Sequence, residues 1–381
     1  MKACIGGVTI SSVCAVVPSR VSKFEDEIKE YPFSERSSRK LAKTMGFKEH
    51  RIAPANVTLI DLAEYGVRSL FDNHIVSKND VGALIFVSQQ HEYPVPGNSK
   101  VLHNRLGLNP STHCIDMYEN CSGFISGLFS ASSILTSTDI STVILVNSSA
   151  GTIHLNIKDR NTYPIMGDGA GITVIQKTTK EEKIYFDIIH DSSELNTLIV
   201  PAGGMRTPSS EDTRKLRSDS LGNLVKDEDL HMDGAKVFHF VMETIPRLTD
   251  EICKYSGVEK GSVDYFITHQ PNKFLVDKLT ELLGVDQRLV FDNIVENFGN
   301  SSSATIPVNL CFNLSDKLKN DKLQTKINTV KTEQFPKSCP FLAEYGQKLS
   351  ARCAEFGAEL VRQIDFCLST RLNKAITGEH L

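Results

Sequence analysis

The run Asp116-Met117-Tyr118-Glu119-Asn120-Cys121-Ser122-Gly123-Phe124, with its continuation to Ser133, restricts the fold more than any other stretch of the chain. Residues 112–115 before it read as a short strand. After it, Gly123, Gly127 and Ala131 fall on one stripe at helical spacing. The expected order is strand, tight turn, cysteine, buried helix, which is an α/β layering with Cys121 at the junction. A thiol in the first turn of a helix meets unpaired N–H groups and the positive end of the macrodipole, so its thiolate is favoured. The competing reading is a structural cysteine, since a free cysteine often packs as a small hydrophobe.

Two later segments bear on that choice. The alternating run 263–268 reads as a strand that delivers His269 to its carboxyl end, ahead of a helix starting near Asn272. Residues 299–303 place Asn300 in a Gly-Asn-Ser-Ser turn that opens another helix. Alone, each is an ordinary hydrogen-bonded histidine or turn asparagine. With a cysteine they make a constellation suited to nucleophilic catalysis.

The residues Cys121-Ser122-Gly123-Phe124 after Asp116, Gly167-Asp168-Gly169-Ala170-Gly171, Met232-Asp233-Gly234 through Val237-Phe238, His269-Gln270-Pro271-Asn272 and Gly299-Asn300 through Pro307 resemble the β-ketoacyl-ACP synthase III branch of the thiolase-like condensing enzymes. The resemblance runs from the start of the chain to about residue 319. It implies a Cys–His–Asn triad of Cys121, His269 and Asn300. It also implies a thiolase-like α/β fold of two similar βα halves in a layered α-β-α-β-α arrangement. On that basis residues 1–176 form the first half with Cys121, residues 177–322 the second with His269 and Asn300, and residues 323–381 an atypical tail. Val95, Phe238, Asn272 and Gly234 match positions that contact substrate in the family.

Composition fits this expectation. A chain of 381 residues with 40% hydrophobic and 23% charged residues can bury a sizeable core. A net charge of −4 gives no electrostatic footprint for nucleic acid. No long uncharged apolar run and no secretory leader is evident, so no membrane association is expected. The nine cysteines are scattered without CxxC pairs, which suits a reducing cytoplasm and argues against a metal site. The implied chemistry needs no cofactor.

In chain order, residues 3–16 read as a first strand, 23–46 as helical, 58–73 as an amphipathic helix capped by Thr58, and 81–89 as a buried strand. The family grips its pantetheine-bearing donor near residue 40, often with a Trp and an Arg. Lys40 and Thr44 stand at those places and the chain has no Trp, which points to an acyl carrier protein rather than CoA as the priming donor. In the loop from His91 to Asn98, Val95 occupies the place of an aromatic that the family lends across a dimer, with Tyr93 as the nearby alternative. A valine there implies a starter branched or longer than acetyl. Gln90 stands where hydroxymethylglutaryl-CoA synthases and long-chain head-to-head synthases carry a glutamate base, and counts against both. Glu119 raises the Cys121 pKa if it faces the thiol; alternation along an extended segment turns it away, toward a neighbouring loop or a dimer interface. His231 and His239, without a third ligand at fixed spacing, read as structural.

The carboxyl end departs from the family. After residue 319 no Gly-Phe-Gly-type loop and no pair of closing strands is legible, so the second half is expected to lack its final strands. Instead, Leu342, Tyr345, Leu349, Cys353, Phe356 and Leu360 repeat at steps of three and four, an amphipathic helix over about residues 340–372. The glycine loop supplies one backbone donor to the family's oxyanion hole, and losing one such donor costs on the order of a hundredfold in rate.

The expected activity is a decarboxylative Claisen condensation of an acyl-CoA or acyl-ACP with malonyl-ACP through acyl-Cys121, in a homodimer. The alternatives are acyl transfer to a non-malonyl nucleophile and a catalytically silent partner of an active synthase.

Overall fold

The computed structural model describes residues 1–319 and 326–330. A six-stranded mixed sheet forms its centre, ordered Lys326–Val330, Val8–Pro18, Gly169–Lys177, Thr142–Ser149, Ala83–Ser88, His113–Tyr118. Ala83–Ser88 runs parallel to both of its neighbours, and Gly169–Lys177 runs antiparallel to both of its own.

Ala83–Ser88 is buried along its whole length because both faces of the sheet are covered. Its side chains alternate accordingly. Ala83, Ile85 and Val87 pack in one cluster with Phe124, Leu128 and Leu135 of the helix Gly123–Ser137. Leu84 and Phe86 enter the opposite cluster with Leu62, Val67 and Leu70 of the helix Leu59–Asp72. That second helix starts in a reciprocal capping box, Thr58 accepting from Asp61 N–H and Asp61 from Thr58 N–H.

Three sequence expectations are corrected. The single first strand over 3–16 is two strands, Lys2–Gly6 and Val8–Pro18, separated by Gly7 at φ +73°. The first leaves the central sheet and pairs antiparallel with Lys183–Asp187. The alternating run before His269 forms no extended strand. It makes one isolated parallel bridge, Phe266 to Val290, because alternation sets which residues face inward but does not supply a partner segment along the full length. Past residue 319, where no strand was expected, Lys326–Val330 lies parallel to Val8–Pro18 and extends the first sheet. The helix expected over 340–372 lies outside the described residues.

Gly171 lets the helix Thr305–Lys319 approach the sheet: a Cβ there would overlap Pro307. That contact fixes the start of the helix that follows Asn300.

Candidate active site

Cys121 sits in the turn between the strand His113–Tyr118 and the helix Gly123–Ser137. Asp116, at the start of the motif, anchors the strand to the helix Asn98–Leu106. It accepts from Ser99 N–H at 2.7 Å and Ser99 Oγ–H at 2.6 Å and pairs with Lys100 at 2.8 Å. Burial opposes its charge, but these partners hold its carboxyl below the usual range. The helix opens at Gly123, two residues beyond the sulfur, rather than at the cysteine itself.

The chief cause of thiolate character is accordingly a neighbouring side chain. Burial pushes the Cys121 thiol up, but the charge and hydrogen bond of His269, the Ser302 hydroxyl and the Cys121 N–H together bring it below the ordinary thiol value. His269 moves the other way: burial lowers it, and the Cys121 sulfur and the Ser302 backbone raise it above an ordinary imidazole. Each partner therefore favours the other's charged form. Glu119 is not part of this pair; it accepts a hydrogen bond from Ser122 Oγ at 3.4 Å, in the same turn.

His269 is held by its neighbour. Gln270, fully buried, donates to Phe291 O at 2.5 Å and accepts from Ile294 N–H at 2.9 Å, which pins the segment against residues 291–294. Both Cys121 and His269 keep some accessible surface despite dense protein around them. His269 Nδ1 is buried without a hydrogen-bond partner among the described residues.

Asn300 is 6% exposed and is placed by backbone. Its N–H donates to Ile165 O at 2.7 Å and its O accepts from Gly167 N–H at 3.0 Å, a parallel bridge around Met166. Its Oδ1 accepts from Ser302 N–H at 2.8 Å and from Thr305 Oγ1 at 3.3 Å. With the oxygen so engaged, Nδ2 is the end left to donate outward. Ser302 has φ +56°, which turns the chain so that one residue meets Asn300, His269 and Cys121 together. Sequence reading placed Ser302 in a turn and gave it no role; the Asn-Ser-Ser run was the signal. Asp168 in the glycine motif joins three segments, accepting from Ala53 N–H at 2.7 Å, Thr152 N–H at 3.1 Å and Thr152 Oγ1 at 2.6 Å.

The other candidate residues are not gathered at the sulfur by any contact. Asn272 caps the helix Lys273–Leu283 through Leu275 N–H at 2.9 Å, Phe238 stacks on Phe274 with centroids 5.5 Å apart, and Gly234 is the exposed first residue of Gly234–Ser256. Val95 is 84% exposed and Tyr93 38%. Lys40 and Thr44 lie exposed on the helix Glu35–Met45, with Thr44 Oγ1 bonded to Lys40 O. His231 bonds Lys226 O at 2.8 Å and His239 lies in solvent beside Glu243. Among the described residues no group of three or more His, Cys, Asp or Glu is placed to hold a metal ion, and no helix is long and apolar enough to cross a membrane.

Comparison with known proteins gives a consistent result. Residues 115–192 match the family model described as 3-oxoacyl-[acyl-carrier-protein] synthase III, and residues 253–325 match its C-terminal counterpart. The chain is 30% identical over 316 residues to a Campylobacter jejuni protein provisionally named 3-oxoacyl-[acyl-carrier-protein] synthase 3, covering 82% of this chain and 88% of that one. It is 28% identical over 269 residues to a β-ketoacyl-[acyl-carrier-protein] synthase III of Natranaerobius thermophilus, covering 70% of this chain and 78% of that one. Its fold matches the crystal structure of a 3-oxoacyl-(acyl-carrier protein) synthase from Burkholderia xenovorans with a TM-score of 0.78 at 27% identity, over 87% of this chain and 92% of that one. The thiolase-like arrangement expected from the sequence is therefore the fold.

Proposed function

This chain belongs to the 3-oxoacyl-[acyl-carrier-protein] synthase III family, and from that premise we propose that it condenses an acyl thioester with malonyl-ACP in two half-reactions on Cys121. In the first, the thiolate attacks the acyl carbonyl of a CoA or carrier-protein thioester. A C–S bond to Cys121 forms, the donor thiolate leaves, and His269 gives it a proton.

Acylation removes the charge that holds the His269 pKa up. Having given its proton to the departing thiolate, His269 is then a neutral imidazole, a form that burial favours. In the second half-reaction this imidazole and Asn300 Nδ2 donate to the malonyl thioester oxygen. The bond to the carboxylate breaks, CO₂ leaves, and the electron pair is held as an enolate by the two donors. The enolate carbon attacks acyl-Cys121; a C–C bond forms, the C–S bond breaks, the thiolate returns as the β-ketoacyl-ACP departs, and His269 takes a proton from solvent to close the cycle.

The observation that carries this reading is the linkage of Cys121, His269 and Asn300 through Ser302, with the Asn300 oxygen engaged and Nδ2 left to donate. Residues 1–176 and 177–322 are proposed as the two halves that meet there. A homodimer is proposed as the working form. Tyr118, 71% exposed on the edge strand His113–Tyr118, supports it, since an open edge is ordinarily covered.

The test is product formation from acyl-CoA or acyl-ACP and labelled malonyl-ACP. Wild type is expected to release CO₂ and form β-ketoacyl-ACP. His269→Ala and Asn300→Ala each lose on the order of a hundredfold or more in decarboxylation. Acyl transfer by the wild type without CO₂ release would move the reading to a non-malonyl acceptor.

A further inference from the structure

A buried polar knot lies behind Asn300, on the far side of Met166. His50, 1% exposed, has both ring nitrogens engaged: Nδ1 bonds the Met166 carbonyl and Nε2 meets Glu27 Oε1 at 2.7 Å. Glu27 is 4% exposed and also accepts from Ser22 Oγ–H and from Tyr31 Oη–H at 3.2 Å. The Tyr163 ring packs edge-on against the imidazole at 5.5 Å. Burial opposes charge on His50, but the Glu27 carboxylate, the Met166 carbonyl and nearby Asp168 outweigh it and raise its pKa. A carbonyl oxygen and a carboxyl oxygen thus face the two ring nitrogens.

The position of this pair matters. Met166 is the residue that Asn300 brackets, with Asn300 N–H on the Ile165 carbonyl before it and Asn300 O on Gly167 N–H after it. His50 holds the one carbonyl between those two bonds. From the other side, His50 packs on the residue before Asn300: a Cβ on Gly299 would come within 2.8 Å of His50 Cβ, and Gly299 itself is at φ +77°. The imidazole therefore holds one segment of the bridge that carries the catalytic amide, while the His50 Cβ lies beside the other. An ionic pair from residues 27 and 50 is also an expensive choice for this site, since an apolar filler of the same volume is commonly as stable or more so. What an apolar filler lacks is a fixed donor direction.

We propose that Glu27 and His50 form a positioning pair that fixes the register and orientation of Asn300 for the malonyl half-reaction, without contacting substrate. This rests on the proposed reading of Asn300 as an enolate donor. Displacing a catalytic group by about an ångström costs on the order of a hundredfold, and a partly loosened bridge costs less.

The test separates the two half-reactions and adds a readout independent of activity. In His50→Gln, malonyl-ACP decarboxylation is expected to fall about ten- to a hundredfold in kcat with little change in KM, while Cys121 acylation stays within about twofold. Glu27→Gln keeps an acceptor for Nε2–H and is expected to recover most of that loss, whereas Glu27→Ala is not. Hydrogen exchange in peptides spanning 163–169 and 298–305 is expected to quicken in His50→Gln and Glu27→Ala, with a control peptide over 83–88 unchanged. Equal losses in both half-reactions with faster exchange throughout would reduce the pair to general stability and overturn the proposal. Wild-type exchange at both peptides would overturn it as well. If the wild type itself fails to decarboxylate malonyl-ACP, the functional reading falls, and the exchange comparison still decides whether the pair holds the bridge.

Discussion

Cys121 and His269 shift each other in opposite directions, and this has a direct consequence in solution. Alkylation by iodoacetamide follows the thiolate, so its rate at Cys121 rises with pH through the thiol pKa. In the wild type the inflection is expected below that of an ordinary thiol. His269→Ala removes the charge and one hydrogen bond while burial persists, so the inflection moves upward. A wild-type inflection at or above that of an ordinary thiol, or one that His269→Ala leaves in place, would contradict this coupling. At this scale the neighbourhood of Cys121, His269 and Asn300, proposed as the triad, was expected from the sequence because each sits in a short, chemically marked turn. Ser302 and the Glu27–His50 pair were not. Their roles depend on contacts between residues far apart in the chain, such as His50 with Met166, which no local spacing encodes.

At the scale of elements, the helix Thr305–Lys319 and the strand Gly169–Lys177 touch through Gly171 and Pro307. Gly171→Ala forces the two apart and is expected to cost about 1–3 kcal/mol, as overpacking of a dense core does. Urea unfolding monitored by circular dichroism checks this, with an unchanged midpoint counting against the close packing. The central strands were readable from the sequence because they are continuous apolar runs bounded by turn residues, as in Ala83–Ser88. The run before His269 was misread as a full strand. Alternation was present, but among the described residues of this run only Phe266 makes a strand bridge, and the neighbouring Gln270 amide fixes the segment. The break at Gly7 was likewise invisible to an alternation pattern that continues across it.

At the scale of the molecule, one sheet covered on both faces brings a turn from the first part of the chain against two turns from the second. The layered arrangement followed from the order of motifs, while the placement of Lys326–Val330 beside Val8–Pro18 did not, since nothing in the tail's composition names a partner strand. The claim on which the rest depends is that this assembly makes Cys121 an acyl carrier. Intact-protein mass spectrometry after incubation with a panel of acyl-CoA and acyl-carrier-protein thioesters measures it most directly, with Cys121→Ser as control. One acyl mass is expected on the wild type and none on the variant, discharged when malonyl-ACP is added. A folded wild-type protein that takes no acyl group from any donor would contradict the account and favour a catalytically silent partner of another synthase.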